Sequence, residues 1–245
     1  MKTKIWAHRG ASGAAPENTL AAFDLAAKVG ADGIELDVHF TRDREVVVVH
    51  DNTLARVTGM NGTVEELTLA QLKKLDFSNH MAAYCGEQIP TLREVLELVK
   101  PTGMEINIEL KTDCNLPEGL EEATMELVAR AGMADKIWYS SFNHYSIART
   151  KELDATTRCG LLYSNKVYQP WNYADALHVE AVHPHFASIN TPGYMEACHA
   201  AGIRCHAWTV NDAEAMRRLL EMGIDAIITN EPALAIAVRA EMEKR

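Results

Sequence analysis

Short β-branched or apolar runs alternate with longer amphipathic stretches along almost the whole of this 245-residue chain. Candidate strands begin near Lys4, Gly33, Val46, Glu105, Lys136, Arg158, Ala181, Arg204 and Ala226. In the second half they recur about every 22 residues, the length of one strand, one helix and two short loops. Between them, Leu20, Phe23 and Ala27 share a helical face, as do Leu120, Ala123, Leu127 and Ala131, and later Met216, Leu219 and Leu220. Gly30, Gly132, Gly202 and Gly223 follow such stretches, where a helix end favours a residue tolerant of positive φ. Repeated strand–helix units require a parallel sheet. At this length a closed (βα)8 TIM barrel is favoured over an open doubly wound sheet. No GxGxxG follows the first strand, which weakens the dinucleotide-binding alternative.

Nine candidate strands exceed eight by one. The runs GIELDVHF (33–40) and EVVVVHD (45–51) are separated only by Thr-Arg-Asp-Arg, too short for a parallel crossover, so they form an antiparallel hairpin. A turn at Arg42–Asp43 pairs Glu35 with His50, and a turn at Asp43–Arg44 pairs Asp37 with His50. Either brings His50 beside the acidic pair. The one long interruption, roughly residues 52 to 90, carries Asn61-Gly62, a short amphipathic stretch around Val64–Leu75, and Pro90-Thr91 leading into the next helix. An insertion of this kind serves as a lid or substrate wall, or is a simple excursion. No linker or low-complexity tract divides the chain, so residues 1–245 are expected to form a single domain.

Hydrophobic residues make up 47% and charged residues 24%, enough for a sizeable core. The net charge of −10 argues against a nucleic-acid or anionic-membrane surface. No apolar run approaches the roughly 18 residues of a membrane span, and MKTKIWAHRG lacks an apolar region of signal-peptide length. Cys85, Cys114, Cys159, Cys198 and Cys205 form no CxxC pair and are odd in number, which points to free thiols and a cytoplasmic location.

Barrel enzymes carry their chemistry at the C-terminal ends of strands. His8 and Arg9 end the first strand, Glu35 and Asp37 lie two apart near the end of the second, and Glu109 and Lys111 repeat that spacing at the end of INIELK. Taken singly, each is as readily a salt-bridge partner or helix cap; their convergence is the signal. Three converging carboxylates repel one another unless a cation sits among them, and oxygen ligands favour Mg²⁺, Ca²⁺ or Mn²⁺ over Zn²⁺. Glu35, Asp37 and Glu109 contribute −3, a divalent metal +2, and Arg9 with Lys111 +2, giving +1; without the metal the sum is −1. Only the metal-loaded site attracts a phosphodiester. His8 and His50 then supply a base and an acid on opposite sides of the phosphate.

The stretches HRGASGAAPENT (8–19) and GADGIELDVHFTRDREVVVVHD (30–51) resemble the glycerophosphodiester phosphodiesterases. The resemblance continues through IPTLREVLELV (89–99), INIELK (106–111), AVHPHF (181–186), RCHAWTVND (204–212) and AIITNEP (226–232). It implies a (βα)8 barrel that hydrolyses glycerophosphodiesters, such as glycerophosphocholine or glycerophosphoethanolamine, to sn-glycerol 3-phosphate and an alcohol. In the family pattern Glu35, Asp37 and Glu109 match the metal ligands, His8 and His50 the acid–base pair, and Arg9 and Lys111 the phosphate contacts. Which histidine is the acid stays open, as does attack by water against attack by the neighbouring glycerol hydroxyl. A lysophospholipase-D-like enzyme would want an apolar docking face or a membrane anchor. A non-catalytic phosphodiester-binding barrel would have no use for an opposed acid–base pair.

Trp208 shares a strand face with His206 and is expected to wall the glycerol side of the pocket, with His206 a hydrogen-bonded core residue. Asn18 reads as a helix cap, Glu17 as a cap or a partner of Arg9, and His39 as rim or substrate wall. Asn230 reads as the cap of the last helix, with Pro232 in its first turn. His183 and His185 have no third metal ligand nearby. Phe142, Tyr163 and Trp171 shape the pocket or pack the core, and Cys114 lies near the pocket with nothing marking it as a nucleophile. Partners are limited to a small-molecule substrate and, by the ordinary habit of such barrels, a second copy in a homodimer.

Overall fold

Eight parallel strands close into a ring in the computed structural model, which describes residues 2–113 and 117–244. Cys114 therefore lies outside the described residues. The strands are β1 (Lys4–His8), β2 (Gly33–Phe40), β3 (Val46–Val48), β4 (Glu105–Leu110), β5 (Ile137–Ser141), β6 (Arg158–Tyr163), β7 (Ala181–Pro184), β8 (Arg204–Ala207) and β9 (Ala226–Thr229). β1 pairs in parallel with both β2 and β9, which closes the ring, while β3 lies outside it, antiparallel to β2. The helices are α1 (Leu20–Lys28), α2 (Ala55–Thr58), α3 (Leu69–Leu72), α4 (Leu92–Val99), α5 (Leu120–Ala131), α6 (His144–Leu153), α7 (Pro170–Ala176), α8 (Tyr194–Ala200), α9 (Ala213–Glu221) and α10 (Pro232–Met242). The TIM barrel with a hairpin after its second strand is thus the fold that forms.

Alternation along each strand puts every second side chain inside the ring, and these fall into three levels. At the strands' N-terminal ends Lys4 and Arg158 pair with Glu105, at 2.7 and 3.3 Å. In the middle, Trp6, Trp138, His183 and His206 fill the lumen, the two indole centroids 4.6 and 4.8 Å from His206. His206 is the hydrogen-bonded core residue expected, 2.8 Å from His183, and burial pushes His183 down to about 3, so the pair is neutral. Gly33 and Gly160 are inward positions of this level where a side chain has no room: a methyl on the first would strike Trp6, and on the second the His183 ring. The third level, at the C-terminal ends, is the mouth.

Outside the ring, helices bury one face each. In α4, Leu92, Val95, Leu96 and Val99 follow the helical repeat and are all buried. Thr91 caps this helix reciprocally with Glu94, which satisfies two free backbone donors. Gly132 ends α5 at φ +64°, the left-handed geometry that a helix stop of this type needs. The insertion packs a small core of its own, Val47, Val49, Leu54, Val57, Val64, Leu72, Phe77 and Ile89, under the back of β3.

The hairpin adopts neither turn considered above. Val38 faces Val48, His39 faces Val47 and Phe40 faces Val46. That register continues to Val49, whose N–H donates to the Asp37 carbonyl, so neither Glu35 nor Asp37 stands across from His50. The loop has three residues, Arg42-Asp43-Arg44, closed by the Thr41 N–H on the Glu45 carbonyl (3.0 Å). Arg44 carries the φ of +62° that such a loop requires. A non-glycine residue there costs about 1–2 kcal/mol. The guanidinium stacked 4.3 Å over Phe40 and its bond to the Glu118 carbonyl offset that cost.

Candidate active site

The register of β1, β2 and β4 assembles the mouth: His8 lies beside Glu35, and Asp37 beside Glu109, on neighbouring strands. Glu35, Asp37 and Glu109 are all buried, and one oxygen of each lies within 4.8 Å of the others. A cavity of about 230 Å³ opens above them, lined by His8, Arg9, Glu35, His50, Asn107, Glu109 and Trp208, together with Phe142, Leu162, Thr209 and Ile228. Lys111 stands behind, its Nζ 2.8 Å from Glu109 and 3.7 Å from Asp37. All eight site residues expected from sequence therefore meet at one end of the barrel.

Arg9 adopts φ +55°, which turns its N–H onto Glu35 (3.0 Å) while its guanidinium reaches Glu17 (3.0 Å) and passes 3.5 Å from Asp37. Asn18, at φ +56°, is not the helix cap. Thr19 takes that role, and Asn18 Nδ2 donates to Asp37 at 2.9 Å. Asn230 is likewise no cap, since Glu231 precedes α10 and Pro232 opens it. Its Oδ1 accepts a 2.6 Å hydrogen bond from His8 Nδ1. That bond assigns the tautomer: the proton is on Nδ1 and the lone pair on Nε2. Burial first, and then Arg9, push the His8 pKa down to about 4, so the 3.9 Å approach of Nε2 to Glu35 is not an ion pair near neutrality.

The carboxylates divide. Burial, then the neighbouring Asp37 and Glu109, raise Glu35 well above the usual range, and burial with Asp37 pushes Glu109 up to about 7. Asp37 goes the other way: burial opposes its charge, but Lys111 and Arg9 outweigh it and hold the carboxyl below the usual range. Two protonation-prone carboxyls beside an ionised one mark a site short of positive charge. Asp37 Oδ1 is buried without a hydrogen-bond partner. A cluster of oxygens with one orphaned acceptor fits a hard divalent cation.

Trp208 uses its Nε1–H on the His183 carbonyl (2.7 Å) and packs edge-on against Phe142, so it offers the cavity ring surface only. His39 does not line this cavity; its Nε2 lies 3.0 Å from the His50 carbonyl. Tyr163 hydroxyl meets that of Tyr194 (2.6 Å), and Trp171 packs on Tyr194, both away from the cavity. Asp51, Arg56 and Asn107 were missed. Asp51 Oδ1 sits 2.6 Å from His50 Nδ1 and could have been suspected from the adjacent His50-Asp51 pair, whereas Arg56 lies in the insertion with no spacing to mark it.

Three carboxylates, two cations and two histidines at the mouth of a (βα)8 barrel form a group set suited to the hydrolysis of a phosphoric diester. The Glycerophosphoryl diester phosphodiesterase family matches residues 8–234, and the chain belongs to that family. It is 40% identical to a glycerophosphodiester phosphodiesterase of Caldanaerobacter subterraneus subsp. tengcongensis, over 96% of this chain and 97% of that protein. It is 37% identical to one of Bacillus altitudinis, over 98% and 100%. A phosphodiesterase of Oleispira antarctica, solved in complex with the product sn-glycerol-3-phosphate, superposes with a TM-score of 0.88 at 33% identity, covering 97% of this chain and 96% of that one. Among the described residues no helix is long and apolar enough to cross a membrane.

Proposed function

We propose that this enzyme hydrolyses glycerophosphodiesters such as glycerophosphocholine or glycerophosphoethanolamine to sn-glycerol 3-phosphate and an alcohol, with Glu35, Asp37 and Glu109 holding Mg²⁺, Ca²⁺ or Mn²⁺. The reading is carried by a cavity lined by Arg9, His8, His50, Glu35 and Glu109, with Asp37 completing the buried carboxylate cluster and Lys111 paired to it from behind. When bound, the divalent ion supplies charge that stabilises the negative charge developing on the phosphoryl oxygens. Arg9 and Lys111 grip the phosphate. His8 is neutral with its Nε2 lone pair free, and takes the proton of the attacking oxygen. His50, oriented by the Asp51 carboxylate 2.6 Å from Nδ1, delivers a proton to the leaving alkoxide. Trp208 and Phe142 wall the apolar side against the carbon skeleton.

The test is release of glycerol 3-phosphate from both substrates after EDTA treatment and add-back of each metal, with lysophosphatidylcholine as a further substrate. Release from the glycerophosphodiesters that returns with a divalent ion supports the reading. Turnover confined to the lysolipid would replace it with a lysophospholipase-D-like activity, and no turnover by folded protein with any metal would overturn it.

A further inference from the structure

The insertion reaches the catalytic end of the barrel through α2, a single turn whose Arg56 joins two separate parts of the site. Arg56 Nε donates to Asp51 Oδ2 at 2.5 Å, and Asp51 Oδ1 is the group bonded to His50 Nδ1 at 2.6 Å. The other edge of the same guanidinium forks onto both Glu17 oxygens, Nη1 and Nη2 each at 2.8 Å. Glu17 Oε1 in turn receives Arg9 Nη1 at 3.0 Å. An unbroken chain of charge-assisted bonds thus runs from His50 through Asp51, Arg56 and Glu17 to Arg9. His50 and Arg9 come from different parts of the barrel mouth, β3's extension and the end of β1.

We propose that Arg56 is a positioning residue that fixes His50, through Asp51, relative to Arg9, through Glu17, so that the insertion is part of the reaction machinery. The inference rests on the roles given to His50 and Arg9 above. Only a planar guanidinium can serve both carboxylates in this way, because its donors point along two edges at once, whereas an ammonium is a point charge that favours one partner. Arg56 is not one of the residues lining the cavity, and Glu17 and Asp51 carry the effect inward to Arg9 and His50.

Steady-state kinetics on glycerophosphoethanolamine, with the metal-loaded enzyme, test this. Asp51→Asn is expected to lower kcat with little change in KM, and Glu17→Gln to raise KM with a smaller effect on kcat. Arg56→Gln is expected to do both, losing about ten- to a hundredfold in kcat/KM, the usual cost of removing an outer orienting group. In the Arg56→Gln, Asp51→Asn double variant the kcat losses should fall short of multiplying, because both remove the same restraint. Arg56→Lys, which keeps the charge and guards against a folding defect in Arg56→Gln, should recover one of the two effects and not both. Wild-type kcat and KM in Arg56→Gln or in Arg56→Lys would overturn the inference, as would kcat losses that multiply as if independent. If the wild-type enzyme turns over none of these substrates, the functional reading fails first and takes the inference with it.

Discussion

Adding a divalent cation to the metal-free protein should expel protons, and more of them as the pH is lowered. The cation needs ionised carboxylates, yet Glu109 is pushed up to about 7 by burial and by Asp37, and Glu35 is raised for the same reasons. A group with that pKa is protonated in about 0.9 of molecules at pH 6, about 0.5 at pH 7 and about 0.1 at pH 8. Asp37 is ionised throughout this window and releases nothing. Because protons compete with the metal below pH 7, affinity is lost as pH falls. From Glu109 alone the apparent affinity should rise about fivefold from pH 6 to 7 and about twofold more from 7 to 8, with Glu35 adding to both the slope and the proton count. Calorimetric titration with Mg²⁺ or Ca²⁺ in two buffers of different ionisation heat, at each pH, gives the proton number directly. Glu109→Gln should remove the Glu109 share of the release, leaving that of Glu35, and weaken binding. Affinity flat between pH 6 and 8, with no proton released at pH 6, would refute the argument that this carboxylate cluster meets the cation.

Two substitutions probe the supports of the site. Asn230→Ala removes the acceptor that holds the His8 Nδ1 proton, so kcat should fall about tenfold or more while the unfolding free energy changes by less than about 1 kcal/mol; an unchanged kcat would show that the tautomer does not matter. Gly160→Ala drives a methyl into the His183 ring in the filled middle level, and should destabilise the barrel by about 1–3 kcal/mol in urea unfolding, whereas wild-type stability would mean that the lumen repacks freely.

The barrel was legible because its signals are local. Strand runs, helix faces and terminal glycines each lie within one segment, and the two-residue spacings Glu35/Asp37 and Glu109/Lys111 place carboxylates and cation on the inward side of their strands. The hairpin register was not legible, since both turns considered had two residues and the actual loop depends on Arg44 holding a left-handed conformation against its preference. Asn18 and Thr19 are both good caps by residue type. What separates them is the position of Asp37, nineteen residues away, on which Asn18 donates. Asn230 bonds His8 across 222 residues, and Arg56 binds Glu17 across 39, separations at which spacing carries no geometric information. Polar side chains that serve a distant partner look, in sequence, like caps or surface charges.

In the proposed reaction a carboxylate-held divalent cation and the pair His8 and His50 together cleave a glycerophosphodiester. Glycerol 3-phosphate release from glycerophosphoethanolamine, measured for the wild type, His8→Ala and His50→Ala after EDTA and again after Mg²⁺ or Ca²⁺ add-back, addresses it most directly. Release by the wild type is expected only when metal is restored, with a loss of at least about a hundredfold in each histidine variant with metal present. Undiminished release in EDTA, or full activity in either variant, would contradict it.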